Sequence, residues 1–320
     1  MTTGDAEGAP VLRPAGLRQL LYPGHTLPTA LAPVAVAFGL ATSHGVAAIG
    51  PALAAFLAGW LIQLGGVIAD NYNNLRRHPD DREHPEFVQA IASGRLSIDQ
   101  FRHAARVCYA GALVAGLYLV WIGGVPALVI GIASILASLA YSSDPFPLGD
   151  RALGDPLFFV FFGVVSVAGA YYVQAAAALG TPFLVGPPPG SLPASAVLVS
   201  LPVAALTTNI LVIDNIRDRE FDAAKGEITL AVVLGETWSR VELVLLTCLA
   251  YGVPLVLWMS GSGAPVLLPL LTLPLGAWLA VRVWKLRGHE ALRPVTAQAG
   301  MLDLAFSLLF AVGLAWGGVG

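Results

Sequence analysis

The chain has 320 residues, of which 56% are hydrophobic and only 12% charged, with a formal net charge of −3 and a mean hydropathy of +0.74. A soluble domain carries roughly 25% charged residues, so a water-soluble fold could not hide this much apolar surface, and no nucleic-acid partner is expected of so weakly charged a chain. The two cysteines, Cys108 and Cys248, fall inside apolar runs and read as small buried hydrophobes, indicating neither a disulfide nor a metal centre.

Residues 1–26 are polar, contain Pro and Gly, and lack the basic-then-apolar pattern of a cleavable signal peptide. They are expected to be a cytosolic tail ahead of a single membrane domain at 27–320. Apolar runs of about 17 to 25 residues, long enough to cross roughly 30 Å of hydrocarbon, then follow at 27–43, 48–69, 104–122, 125–142, 155–178, 194–213, 240–258, 264–283 and 301–318. Backbone groups in lipid must be satisfied within the segment, and Leu, Ala, Val and Gly runs of this length suit helices rather than the alternating strands of a barrel. The expected fold is an all-α membrane bundle of about nine transmembrane helices.

The connections alternate in character. One set is built of Gly, Pro and small apolar residues, around Gly45, Gly123 to Pro126, Gly180 to Ser195 and Ser260 to Pro265. The other set is long and charged, and on this placement it holds all 17 Lys and Arg and all 20 Asp and Glu. The positive-inside rule makes that side cytoplasmic, in a multi-pass protein of the cell (inner) membrane. An anchor needs the basic residues but has no use for so many acids, so a chemical site facing the cytoplasm is expected there. Transporters place ionisable groups near the bilayer midplane, and the clustering at one edge argues against transport.

Two charged connections stand out, 70–103 and 214–239, four helices apart, which hints at a duplicated half. Each opens with acidic or amide residues at the end of a span, so the two clusters are expected to face each other across a central cavity. In the second, Asp214, Asp218 and Asp222 recur every four residues and advance only about 40° per step, stacking on one helical face. Three like charges so placed are tolerable if a cation neutralises them, and Mg²⁺, which takes one or two carboxylates plus phosphate oxygens, suits best. Arg217 and Lys225 are beside them to hold phosphates directly. A solvated acidic face is the alternative, weakened because the apolar run Leu206 to Ile213 leads straight into the stripe. In the first connection, Asp70 and Asn74 share a face with Asn71 beside them, followed by Arg76, Arg77, His78, Asp80 and Asp81; a polar helix end explains this stretch equally well.

Several separated motifs in order carry a family resemblance: His25 to Pro28; Gln63, Leu64, Gly65 through Asp70, Asn71, Tyr72; Ser93 to Ser97; Tyr141, Ser142, Ser143, Asp144, Pro145, Phe146, Pro147, Leu148; Leu153, Gly154, Asp155; Phe161 to Gly163 through Tyr171 to Gln174; Asp214 to Asp218; and Thr229 to Gly235. Over nearly its whole length the sequence resembles the UbiA superfamily of intramembrane prenyltransferases, and within it the 1,4-dihydroxy-2-naphthoate polyprenyltransferase branch of menaquinone synthesis. The resemblance implies a nine-helix bundle around a lipid-accessible cavity, capped by two Asp-rich motifs that bind Mg²⁺ and the diphosphate of a polyprenyl donor while an aromatic acceptor is alkylated. Carried over by position, it implies metal ligation by Asp70, Asn71, Asn74, Asp214, Asp218 and Asp222, and diphosphate binding by Arg76, Arg77, Arg217 and Lys225. Asp214 and Asp218 become catalytic together with Tyr141, whose aromatic face or phenol sits near the reacting carbon; without the resemblance, Tyr141 reads as an interfacial aromatic.

The chain departs from that branch in particular places. Asn-Asp-Tyr-x-Asp becomes Asp70, Asn71, Tyr72, Asn73, Asn74, displacing one carboxylate by about 100° around a helix and replacing another by an amide. Gly-Lys becomes Gly226, Glu227; the Tyr after Pro-Leu-Gly becomes Asp150; and Gly-Gly before the Pro becomes Ser143, Asp144. The expected activity is Mg²⁺-dependent prenyl transfer to an aromatic acceptor, with a terpene cyclase or a non-catalytic lipid-binding homologue as alternatives.

Overall fold

The structure is a computed structural model that describes residues 26–79, 85–145, 147–180 and 184–319. The expected tail, apart from Thr26, lies outside the described residues, as do His25, Asp80, Asp81 and Phe146.

The described residues form helices α1 (Thr26–Ser43), α2 (Ile49–Arg77), α3 (Pro85–Ala92), α4 (Ile98–Ser142), α5 (Gly154–Leu179), α6 (Ala194–Lys225), α7 (Leu230–Met259), α8 (Ala264–Lys285) and α9 (His289–Gly317), with no strand among them. Seven are long and apolar enough to cross a bilayer, and α1 adds a shorter apolar helix. At 45 residues α4 is about twice as long as one crossing requires. It breaks at Gly124, whose φ of 63° and ψ of −146° lie outside the helical region, just ahead of Pro126. Its two limbs match the runs expected at 104–122 and 125–142, so the described residues provide nine apolar helical segments. The backbone carbonyl of Leu184 accepts the N–H of Val125 at 2.8 Å, and a Cβ on Gly124 would fall 2.0 Å from that same oxygen, so only glycine fits the corner.

The bundle is organised around α6, which has 78% of its apolar window buried against 17% for α4. The main core gathers Val199, Val203 and Leu206 of α6 with Leu40 of α1, Tyr171 of α5, Tyr251 of α7 and Phe306 and Phe310 of α9. Close approach is bought with glycine: a Cβ on Gly163 of α5 would lie 2.1 Å from the Cβ of Ala204. The contact falls within a π-helical stretch at Phe159–Val165. Polar ties cross the apolar interior: Thr207 donates to Asp303 at 3.2 Å, and Asn209 donates to Thr247 at 3.0 Å. Large apolar side chains such as Trp121, Leu117 and Met259 are exposed on the outside, as a lipid-facing surface requires. Cys108 is buried, whereas Cys248 is on that outer surface rather than buried.

Two helices outrun their hydrophobic spans. The α2 helix continues through Asp70 to Arg77, and α6 through Asp214 to Lys225, so both polar clusters are built on rigid helix rather than on loop. The α3 helix tucks Phe87 and Ala90 inward, with Phe87 packed edge-on against Phe101 at 5.5 Å between ring centroids.

Candidate active site

The polar ends of α2 and α6 face each other across a cavity of about 580 Å³. On α2 its wall runs Gln63, Gly66, Val67, Asp70, Asn71, Asn74 and Arg77, recurring once per helical turn so that one face looks inward. On α6 it runs Ile210, Leu211, Asp214, Asp218, Asp222 and Lys225 by the same rule, with Asn215 and Arg217 beside them. Tyr141 at the end of α4 and Gly149 and Asp150 of the short turn at Gly149–Arg151 close one side; His289, Arg293 and Thr296 of α9 close another. The structure thus brings ten of the eleven expected site residues to one basin. Arg76 stands apart: it points to the surface, about half exposed, and pairs there with Asp144.

Buried carboxylates need partners, and the three stacked acids of α6 are held from α9 and from the segment after α6. Thr296 of α9 donates to Asp214 at 2.6 Å, and Nδ1 of His289 meets Asp218 at 2.8 Å. Thr229, just past α6, donates to Asp222 at 3.1 Å. Arg217 reaches Asp214 at 2.5 Å through Nη1 and grips Asp218 through Nε at 2.7 Å and through Nη2. Asp218 and Asp222 are each only 5% exposed.

The α2 side is built differently. Nη1 of Arg77 donates to Asp150 at 2.7 Å, and the backbone carbonyl of Asp150 accepts the N–H of Ile228 at 2.8 Å. This turn therefore ties the end of α2 to the segment that follows α6. Asp70 and Glu227 also lie within electrostatic range of the Arg77 guanidinium. Asn73 turns away from the basin and donates to the backbone of Ser142 at 3.1 Å.

Tyr141 packs so closely on Gly149 that a Cβ there would fall 2.8 Å from its ring. Its ring is tilted against Phe158 at 5.7 Å, and Phe158 stacks on Phe162 at 4.4 Å. These rings lead from the polar basin toward a second, apolar cavity of about 200 Å³ between α2, α4 and α5. The two cavities share Thr29, Gln63, Ser138, Leu157 and Phe162 in their walls. At that junction the amide of Gln63 donates to the hydroxyl of Thr29.

Seven carboxylates line the basin, Asp70, Glu86, Asp150, Asp214, Asp218, Asp222 and Glu227, against four permanent cations, Arg77, Arg217, Lys225 and Arg293. An anionic ligand entering such a wall is repelled unless cations enter with it. Among the described residues no three Asp, Glu, His or Cys side chains gather into a ready-made metal cage. Mg²⁺ needs none, because it keeps waters and completes its shell with one or two carboxylates and phosphate oxygens. The donor chemistry of the α6 wall fits that ion.

Sequence reasoning did not single out His289 or Thr296, and it placed Thr229 in a motif without giving it a role in the site. The only signal was indirect: the polar stretch between Lys285 and Met301 had no assigned span, yet α9 already begins at His289. Asp150 and Glu227 were visible as departures, without a role.

The sequence model of the UbiA prenyltransferase family matches residues 30–307. The 1,4-dihydroxy-2-naphthoate octaprenyltransferase of Mycobacterium tuberculosis is 30% identical over 91% of this chain and 94% of its own length. The protein of the same name from Haemophilus influenzae is 28% identical, covering 79% of this chain and 80% of its own. Among solved structures, a UbiA homologue from Aeropyrum pernix superposes with a TM-score of 0.66 at 16% identity, covering 89% of this chain and 96% of that one. A UbiA homologue from Archaeoglobus fulgidus bound to DMAPP and Mg²⁺ gives 0.57 at 14% identity, covering 92% and 98%. At these identities the structural likeness shows a shared fold.

Proposed function

The chain belongs to the UbiA prenyltransferase family, and on that premise we propose that it transfers an isoprenoid chain from a prenyl diphosphate to an aromatic acceptor, a naphthoate or related quinone precursor, with Mg²⁺. The observation that carries this reading is the junction of the two cavities. A basin of charged groups adjoins an apolar space across shared wall residues, which suits a ligand with an anionic head and a hydrocarbon tail. The relatives named as naphthoate octaprenyltransferases support the acceptor class, and the Archaeoglobus homologue bound to DMAPP and Mg²⁺ supports the donor and the ion. The excess of Lys and Arg at the charged end supports a basin on the cytoplasmic face of the inner membrane.

Asp214, Asp218 and Asp222 would hold the ion, and Asp70, Asn71 and Asn74 face them from α2. Bound there, Mg²⁺ supplies Lewis-acid neutralisation of the diphosphate as its charge grows. Arg77, Arg217 and Lys225 present charge-assisted donors to the same oxygens. Arg217 bridges Asp214 and Asp218, and with an ion on those carboxylates its guanidinium would stand beside the diphosphate as a further charge-assisted donor. The allylic C–O bond then ionises, the electron-rich ring carbon attacks the resulting cation, and the ring loses a proton, or CO₂ if that carbon bears a carboxylate. Tyr141, Phe158 and Phe162 turn aromatic surface toward the developing positive charge.

The test is turnover of purified protein in lipid nanodiscs with a prenyl diphosphate, 1,4-dihydroxy-2-naphthoate and Mg²⁺. A prenylated naphthoate is expected, with a fall of at least about 10²-fold for Asp214→Asn and for Asp218→Asn. Chelation of Mg²⁺ should abolish turnover reversibly. Failure to consume any prenyl diphosphate with Mg²⁺ present would sink the proposal, and terpene products formed without an acceptor would assign the site to cyclisation instead.

A further inference from the structure

The two walls of the basin offer unequal help to a divalent ion. The α6 wall has three carboxylates in register, at Asp214, Asp218 and Asp222. The α2 wall has one, Asp70, with the amide of Asn71 beside it and that of Asn74 one turn further on. An amide oxygen ligates a hard cation without neutralising it, so α2 alone is a poor dication site.

Acids are nevertheless present around that corner, contributed from elsewhere in the chain. Asp150 comes from the turn between α4 and α5, and Glu227 from the segment after α6; with Asp70 they line the same end of the basin. What stands among them is the guanidinium of Arg77. It is bonded to Asp150 at 2.7 Å, both side chains are about four-fifths buried, and Asp70 and Glu227 complete its electrostatic surroundings. A guanidinium cannot lose its proton in a protein and presents a planar fork of donors that fits two oxyanions at once. It can therefore bridge protein carboxylates and a phosphate as a metal ion would, with one positive charge instead of two.

We propose that the Arg77 guanidinium occupies the place of a second divalent cation, so that this chain binds a prenyl diphosphate with a single metal ion, held on α6. The inference rests on the prenyl diphosphate reading of the basin and narrows it. It also gives Asp150 and Glu227 a shared purpose: Asp150 fixes Arg77 by its ion pair and Glu227 adds negative charge beside it, which holds the guanidinium at this end of the basin. Deleting the arginine should remove the positive charge that stands among the three acids and create room and charge for another ion.

The experiment counts metal directly. Wild-type chain in nanodiscs is titrated with Mn²⁺ in the presence of a non-ionising prenyl thiolodiphosphate, and bound Mn²⁺ per chain is read by electron paramagnetic resonance. One Mn²⁺ per chain, without spin–spin coupling, is expected. Arg77→Met should raise the count to two, with the broadened spectrum of a coupled pair, whereas Arg77→Lys should keep it at one. Two coupled ions in the wild type would overturn the inference and leave the diphosphate reading intact, and so would a count of one in folded Arg77→Met. If the methionine variant does not fold, the wild-type count and coupling decide alone. Absence of any analogue binding, with or without Mn²⁺, would overturn both readings together.

Discussion

His289 and Asp218 are 71 positions apart in the chain, yet Nδ1 of the imidazole lies 2.8 Å from Oδ1 of the carboxylate, joining the start of α9 to the polar end of α6. The ring is also held edge-on against Phe221, with centroids 5.2 Å apart, so it is fixed from two sides. An imidazole so fixed sets the direction in which the carboxylate presents its other lone pairs.

Removing such an orienting partner costs about 10–100-fold in metal affinity or activity at established metal sites. His289→Ala should therefore raise the Mg²⁺ concentration needed for half-maximal turnover by about 10-fold. His289→Asn, whose side-chain N–H is positioned much like Nδ1–H, should recover most of the loss. Equal defects in the two variants would show that the ring acts only by filling space.

Tyr141 packs on Gly149 and lies against Phe158 where the polar basin gives way to apolar wall. If its face stabilises an allylic cation, Tyr141→Leu should lower kcat by roughly 10-fold or more, since a desolvated cation–π contact is worth about 2 kcal/mol, while KM for the donor changes little. Tyr141→Phe keeps the face and should keep most of the rate. Parallel kinetics on the two variants, with donor and acceptor varied separately, distinguishes a role for the ring from one for the hydroxyl.

Gly131 lines the apolar cavity, and a Cβ built on it meets no atom within 4 Å. A leucine there has open space to enter and would take volume from the hydrocarbon tail. Gly131→Leu is expected to lower kcat/KM for long prenyl diphosphates relative to short ones by about 10-fold, a change equal to losing the burial of about two methylenes. A competition assay with mixed donor lengths, read by product mass, would show it; an unchanged ratio would place the tail elsewhere.

Gly163 tests the packing that supports the site. A Cβ there would sit 2.1 Å from that of Ala204, against the most enclosed helix of the bundle. Gly163→Val should destabilise the protein by about 1–3 kcal/mol or more, as overpacking does, visible as a lower Tm in detergent. Ala204→Gly in the same chain should restore part of the loss.

The membrane spans and both polar stripes were legible because each rests on a short-range rule. Apolar run length gives the crossings, and four-residue spacing puts Asp214, Asp218 and Asp222 on one face whether or not the helix end is known. The turn expected at Gly123 to Pro126 is present as a single non-helical residue, Gly124, within one long α4. What hydropathy missed is chemistry beyond the hydrocarbon. The first three turns of α9, with His289 and Thr296, are too polar to register as part of a span that reads from 301, yet they are the helix that holds Asp214 and Asp218. Arg76 and Arg77 are adjacent in sequence and look interchangeable; on a helix they diverge by about 100°, and only Arg77 faces the basin. The Arg77 and Asp150 pair joins elements 73 positions apart, which no local pattern reveals.

The shared wall of Thr29, Gln63, Ser138, Leu157 and Phe162 has a further consequence, for what happens after the bond is made. Under the proposed reaction, the inorganic product is soluble only in the aqueous compartment, and the alkylated ring is soluble only among acyl chains. Each departs through its own doorway into a phase the other cannot enter. The reverse reaction would require both to return at once from opposite surroundings, so their separation makes re-encounter of the products rare, while the free energy of breaking the diphosphate ester sets the direction of turnover.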